Sequence, residues 1–207
     1  MTKRITILLL LAVASCRHAE RALPYYDSAD FTPRWEPPAR GSQHFIRPFT
    51  LITQENKPFT ERELTGKIAV VNFFFSSCPG VCPTTVKSMM AIQQEFLDAD
   101  DVVLISHSVT PLRDSVPVLQ EYARDKHVNA RRWKLLTGSE QEIYDLGKHY
   151  YFLEDDQGAK SSDELFSHTE NFVLLDKARH LRGIYNGLDP NSMQQLVRDI
   201  RLLREAS

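Results

Sequence analysis

Long apolar runs are almost missing from this 207-residue chain, and the one near its start, Ile5 to Val13, is too short to cross a bilayer. A surplus of one charge is missing too. Lys and Arg number 25 against 27 Asp and Glu, giving a net charge of −2. There is no basic block and no interleaving of aromatic with basic residues, so nothing points to nucleic acid. Cysteine is scarce: the chain has three, an odd number, so at least one has no partner within it. Internal repeats are absent. What remains is a 42% hydrophobic composition, enough for one domain with a sizeable core and no room for a second catalytic domain.

The ends of the chain differ in character. Lys3 and Arg4, the apolar stretch to Val13 and the small residues Ala14-Ser15 form a secretory signal. Val13-Ala14-Ser15-Cys16 resembles a bacterial lipobox, in which the cysteine is lipidated and becomes the mature N-terminus. The plain alternative is an ordinary signal with Cys16 as a chance residue. Lipidation accounts for the odd cysteine, and several acyl chains on one residue hold a protein to a membrane stably. Residues 1–15 are therefore expected to be a lipoprotein signal peptide. Their removal leaves 23 basic and 27 acidic residues, a net charge of −4.

Residues 16–48 read as a proline-rich tether, with Pro24, Pro33, Pro37, Pro38 and Pro48 and no apolar period. Fully extended, such a chain reaches up to about 100 Å. Tyr25, Tyr26, Phe31 and Trp35 point to part of it packing on the domain that follows.

Residues 49–207 alternate strand and helix signals. The buried run Ile68–Phe75 predicts a central strand, followed by a helix opening at Pro83 with Val86, Met89, Met90 and Leu97 on one stripe. Val102–Ile105 predicts a second strand, and Ser115–Lys126 a helix with Leu119, Tyr122 and Ala123 inward. Trp133–Leu136 predicts a short strand. Ser139-Glu-Gln-Glu142 is a capping-box pattern opening a helix that buries Ile143, Leu146 and Tyr150. Phe172–Leu175 and His180–Tyr185 predict a hairpin, and Asp189-Pro190 caps a last helix with Met193, Leu196, Val197 and Ile200 inward. This order is that of an α/β, thioredoxin-like domain, a central mixed β-sheet flanked by helices.

Chemistry concentrates in Cys78-Pro-Gly-Val-Cys82-Pro83, on the turn from the central strand into a helix. Free backbone N–H groups and the positive end of a helix dipole favour thiolate there. Positions i and i+4 of a helix place Cβ atoms about 5–6 Å apart. That spacing serves a disulfide, disulfide exchange or a shared metal ion. A purely structural staple closes so short a loop that it stabilises by only about 2 kcal/mol. Two thiolates select a soft metal such as copper(I), zinc or an iron–sulfur cluster. A closed zinc site needs two more ligands, whereas copper(I) needs one histidine. Of seven histidines, His168 is the best placed, in a polar turn feeding the Phe172–Leu175 strand, which in this fold packs beside the cysteine-bearing helix. His18 and His44 belong to the tether, and His107, His127, His149 and His180 read as structural or solvated. Met89 and Met90 read as core.

Four segments together resemble the Sco/SenC family over roughly residues 45 to 205: Asn72-Phe-Phe-Phe-Ser-Ser-Cys78-Pro-Gly-Val-Cys82-Pro83-Thr84-Thr85, Ser106-His-Ser-Val-Thr-Pro111-Leu-Arg113-Asp114, Trp133-Lys-Leu-Leu-Thr137-Gly138 and Ser167-His168-Thr169. The resemblance implies a membrane-tethered copper chaperone holding one copper ion per chain through Cys78, Cys82 and His168. Its expected partner is the copper-accepting subunit of cytochrome c oxidase, and its place the exported side of a bacterial cell envelope, anchored through Cys16. Such proteins deliver copper to the dinuclear centre, reduce the acceptor's cysteines, or both. A thiol–disulfide oxidoreductase using Cys78 and Cys82 as a redox pair, with Cys78 attacking, is the alternative. Two residues depart from the family pattern: Ser167 and Thr110 stand where acids are usual. Carboxylates behind a histidine ligand orient it and tune affinity, so redox tuning and partner choice are where those departures bear.

Overall fold

Ile68–Phe74 (β3) is buried at every position, which places it in the middle of a sheet with both faces covered. The computed structural model describes residues 22–37, 44–77, 82–153 and 170–206. Among these, β3 pairs in parallel with β4 (Val102–Ser108), which pairs in parallel with β5 (Trp133–Thr137). On its other side β3 pairs antiparallel with β6 (Asn171–Leu175), and β6 with β7 (Leu181–Asn186). An N-terminal hairpin, β1 (Thr50–Thr53) and β2 (Pro58–Thr60), adds to β5, giving the mixed order β2-β1-β5-β4-β3-β6-β7. The expected α/β, thioredoxin-like architecture is the observed one.

Helices cover both faces. Val86, Met89 and Ile92 of α1 (Cys82–Glu95), Leu119 of α2 (Val116–Asp125) and Leu196 and Ile200 of α4 (Pro190–Glu205) pack with β3, β4 and β6 into one core. α3 (Glu140–Asp145) and the π-helical turn Leu146–Tyr150 cover the opposite face, together with Ile46, Phe49 and Leu51. Two buried polar residues of neighbouring strands satisfy one another: Ser106 Oγ donates to Asn72 Oδ1 (2.5 Å) and accepts from Trp133 Nε1 (2.8 Å).

Local details depart from the sequence expectations for physical reasons. α1 opens at Cys82, one residue before Pro83, and its inward stripe continues through Ile92 to Phe96, leaving Leu97 half-buried past the helix end. The wider π-helical turn advances the side chains, so Tyr151, and not Tyr150, enters the core. Ser139 caps α3 by accepting the Glu142 N–H (3.3 Å), but the Glu142 carboxylate takes the Arg47 guanidinium (2.8 and 3.1 Å) in place of closing the box.

The described part of the segment 16–48 is bound to the domain. Tyr25 and Arg34 form a small antiparallel bridge, and Tyr26 N–H donates to the Leu181 carbonyl (3.0 Å), extending the sheet beyond β7. Arg182, itself buried, clamps this arm. Its guanidinium donates to the carbonyls of Leu23 and Pro24 and lies 3.9 Å from the Tyr25 ring centre, with Asp176 (3.0 Å) as its counter-ion.

Candidate metal centre

β3 and β6 run antiparallel with Val71 opposite Val173, so the end of one lies beside the start of the other. The chain leaves β3 at Phe74 toward Cys78 and enters β6 at Asn171 from His168. The end of β3 and the start of β6 therefore lie side by side at one end of the sheet, where α1 also begins. Cys82 is the first residue of α1. Cys78, Ser167 and His168, like Cys16, lie outside the described residues.

Each approach to that end is fixed. On the β3 side the turn is held by Asp114, which is fully buried. Its carboxylate accepts from the Ser76 N–H (3.2 Å), Ser76 Oγ (2.5 Å), Ser108 Oγ (2.6 Å) and Thr110 Oγ1 (3.3 Å). Ser76 is two residues before Cys78. Thr110, where the family usually has an acid, thus supplies a donor to this carboxylate.

On the β6 side Gly187 forms the link. Its N–H donates to the Glu170 carbonyl (2.8 Å), and its own carbonyl accepts from Ser88 Oγ of α1 (2.8 Å). Asn186 Nδ2 adds a bond to Glu170 Oε1 (3.2 Å). The helix that carries Cys82 is thereby tied to the strand entry two residues after His168. Only glycine fits this position: a Cβ there would stand 2.0 Å from Phe172 Cε2 and 2.7 Å from the Glu170 oxygen.

Beside the cysteine turn, a 360 Å³ cleft opens between α1 and α2, floored by Phe75, Val86, Met90 and Tyr122 with Ser76 and Pro83 at its edge. Three of the five described histidines are held in other surroundings. His44 bonds to the Tyr150 carbonyl (2.8 Å) and stacks on Phe152, and His180 lies 3.3 Å from Asp176. His107 is enclosed by Phe49, Phe73 and Tyr151, and burial lowers its pKa from 6.5 to about 3. Both His107 nitrogens and the Tyr151 hydroxyl lack hydrogen-bond partners among the described residues. Nor do the described residues contain a cluster of three His, Cys, Asp or Glu able to hold a metal. Asp114 escaped sequence reasoning as a determinant of this end. Its four-residue spacing from Thr110 and six-residue spacing from Ser108 are the local signal, legible only once β3 and β4 are paired.

Comparison with known proteins bears on the same residues. The description of the SCO1/SenC family matches residues 37–204. The mitochondrial protein SCO1 homolog 1 of Arabidopsis thaliana is 30% identical over 176 residues, covering 82% of this chain and 51% of that protein. The chain thus spans about half the length of that relative. A crystal structure of a SCO1/SenC family lipoprotein from Bacillus anthracis superposes with a TM-score of 0.68 at 27% identity, over 78% of this chain and 96% of that one. Arabidopsis ScoI, crystallised with copper bound, superposes with a TM-score of 0.61 at 28% identity, over 78% and 99% of the two chains. With the strand order, the cysteine-bearing turn and this match all covering the same stretch, the chain is a member of the SCO1/SenC family.

Proposed function

We propose that this protein is a membrane-anchored copper chaperone that holds one copper(I) ion through Cys78, Cys82 and His168. It delivers that ion to, or reduces the cysteines of, the dinuclear copper centre of cytochrome c oxidase. The observation that supports this reading is the antiparallel β3–β6 register, which sets the end of β3, four residues before Cys78, beside the start of β6, three residues after His168. Two thiolates and one imidazole form a soft, three-coordinate donor set suited to copper(I). The copper-bound Arabidopsis relative supports the choice of metal. Copper here is cargo, passed to an acceptor by ligand exchange. Cys16 is read as the lipid-bearing residue, which places the domain on the exported face of a bacterial envelope.

A second reading uses the same turn. Cys78 thiolate attacks a partner disulfide, and Cys82 then displaces the partner's second thiol, leaving the Cys78–Cys82 disulfide and a reduced partner. Two electrons pass from the pair to the partner. His168 separates the two, since disulfide exchange has no need of it.

Anaerobic titration of the reduced protein with copper(I), with thiols counted, should give one ion per chain. His168→Ala should weaken that binding at least tenfold, equivalent to about 1.4 kcal/mol or more. Unchanged copper affinity in the variant, with retained reduction of a protein disulfide, would replace the chaperone reading by the oxidoreductase one.

A further inference from the structure

The arm fixed by Arg182 changes what an anchor at Cys16 can do. Only residues 17–21 separate Cys16 from Ala22, the first described residue of the arm. Six residue steps span at most roughly 20 Å. The arm is not free to pay out further, because Leu23, Pro24, Tyr25 and Tyr26 are all bonded to the domain. A lipid on Cys16 therefore holds one particular face of the domain close to the bilayer.

That face has the chemistry of the membrane interface. Where the arm lies along α4 there is an 810 Å³ groove walled by Leu23, Pro24, Trp35 and Leu202, with Arg198 at its rim. Trp35 is 65% exposed, whereas the other tryptophan, Trp133, is 1% exposed in the core. An exposed tryptophan beside leucine and arginine suits the headgroup level of a bilayer, and in the spacer Arg17 and Arg21 outnumber the single acid Glu20, which favours anionic lipid.

Its position relative to the cysteine turn is set by strand register. Tyr26 joins the sheet at Leu181, which pairs with Leu175 at the far end of β6. The end of β3 that leads toward Cys78 lies at the opposite end, beside Asn171 and Asn186, about 17 Å away along β7 at strand rise. We propose that the Trp35–Leu23–α4 face rests on an anionic bilayer surface, so that the metal-binding end points away from the membrane, toward exported partners. This rests on Cys16 being the lipid-bearing residue.

Full-length lipoprotein extracted from membranes and placed in vesicles of phosphatidylcholine and phosphatidylglycerol tests it, with spin-labelled lipid as the quencher near the headgroups. The protein should float with the vesicles, and Trp35 should lose most of its emission to the labelled lipid. Trp35→Phe should abolish that quenching, leaving the unaffected Trp133 signal. Flotation with unquenched Trp35 overturns the orientation while leaving the anchor intact. Failure to float overturns the anchor and the orientation with it. Shielding of Trp35 from iodide in vesicle-free Cys16→Ser protein, rising with protein concentration, assigns the face to a second copy and also overturns the proposal.

Discussion

At the scale of single residues, Asp114 decides how firmly the cysteine turn is held. A carboxylate taken out of water is tolerated only when its lone pairs are satisfied, and three hydroxyls and a backbone N–H do this here. Asp114→Ala leaves buried hydroxyls without an acceptor, at a cost of roughly 2–4 kcal/mol summed over them. Urea unfolding should show that loss, and copper titration of the still-folded variant should show weaker binding with both thiols present. A variant as stable as the parent would mean that the turn is held by other contacts. The cysteine pair stands out in the sequence because thiols are rare, three in 207 residues, whereas His168 was singled out among seven histidines by its place before β6. Asp114 was not, since a lone loop carboxylate ordinarily sits in water, and its cage closes only when Phe74 and Ser108 are brought side by side.

At the scale of elements, the binding end is assembled by contacts far apart in sequence. Ser88 in α1, Gly187 after β7 and Glu170 before β6 form one chain of backbone-linked bonds. Gly187→Ala forces a methyl group against the Phe172 ring and the Glu170 carbonyl, so the entry into β6 must shift. Overpacking of this kind costs about 1–3 kcal/mol. Thermal denaturation should fall accordingly, and copper affinity should drop although no ligand is altered. Undiminished affinity would show that the His168 segment is positioned independently of Gly187. Strands β3, β4 and β6 were readable because buried strands are continuous apolar runs. The β1–β2 hairpin was not, because four- and three-residue strands flanked by Thr, Gln, Asn and Pro carry too few apolar positions to show a period.

At the scale of the molecule, two measurements follow. The neutral imidazole of His107 is favoured in the folded state, whereas the unfolded chain protonates it below 6.5. The unfolded state then binds more protons between pH 6.5 and about 3. Stability is therefore complete above 6.5 and declines as pH falls through that window, by up to about 1.4 kcal/mol per pH unit from this group. His107→Phe, which suits the surrounding aromatic rings, should flatten that decline in urea unfolding followed across the window. Equal slopes in parent and variant would assign the acid sensitivity to carboxylates. The proposed membrane attachment is the second whole-molecule property to measure. Cys16→Ser should release the protein from membranes in a carbonate wash, and continued association would refute a lipid on that residue.

The two margins of the sheet have a consequence for crowding. Unpaired strand borders invite a neighbouring copy to add on and grow a ribbon. Here β2 is only three residues long and starts with Pro58, which offers no N–H for pairing. On the other margin Tyr26 already occupies the start of β7. Among the described residues, a short proline-started strand on one border and a covered strand start on the other both work against edge-to-edge growth from copy to copy.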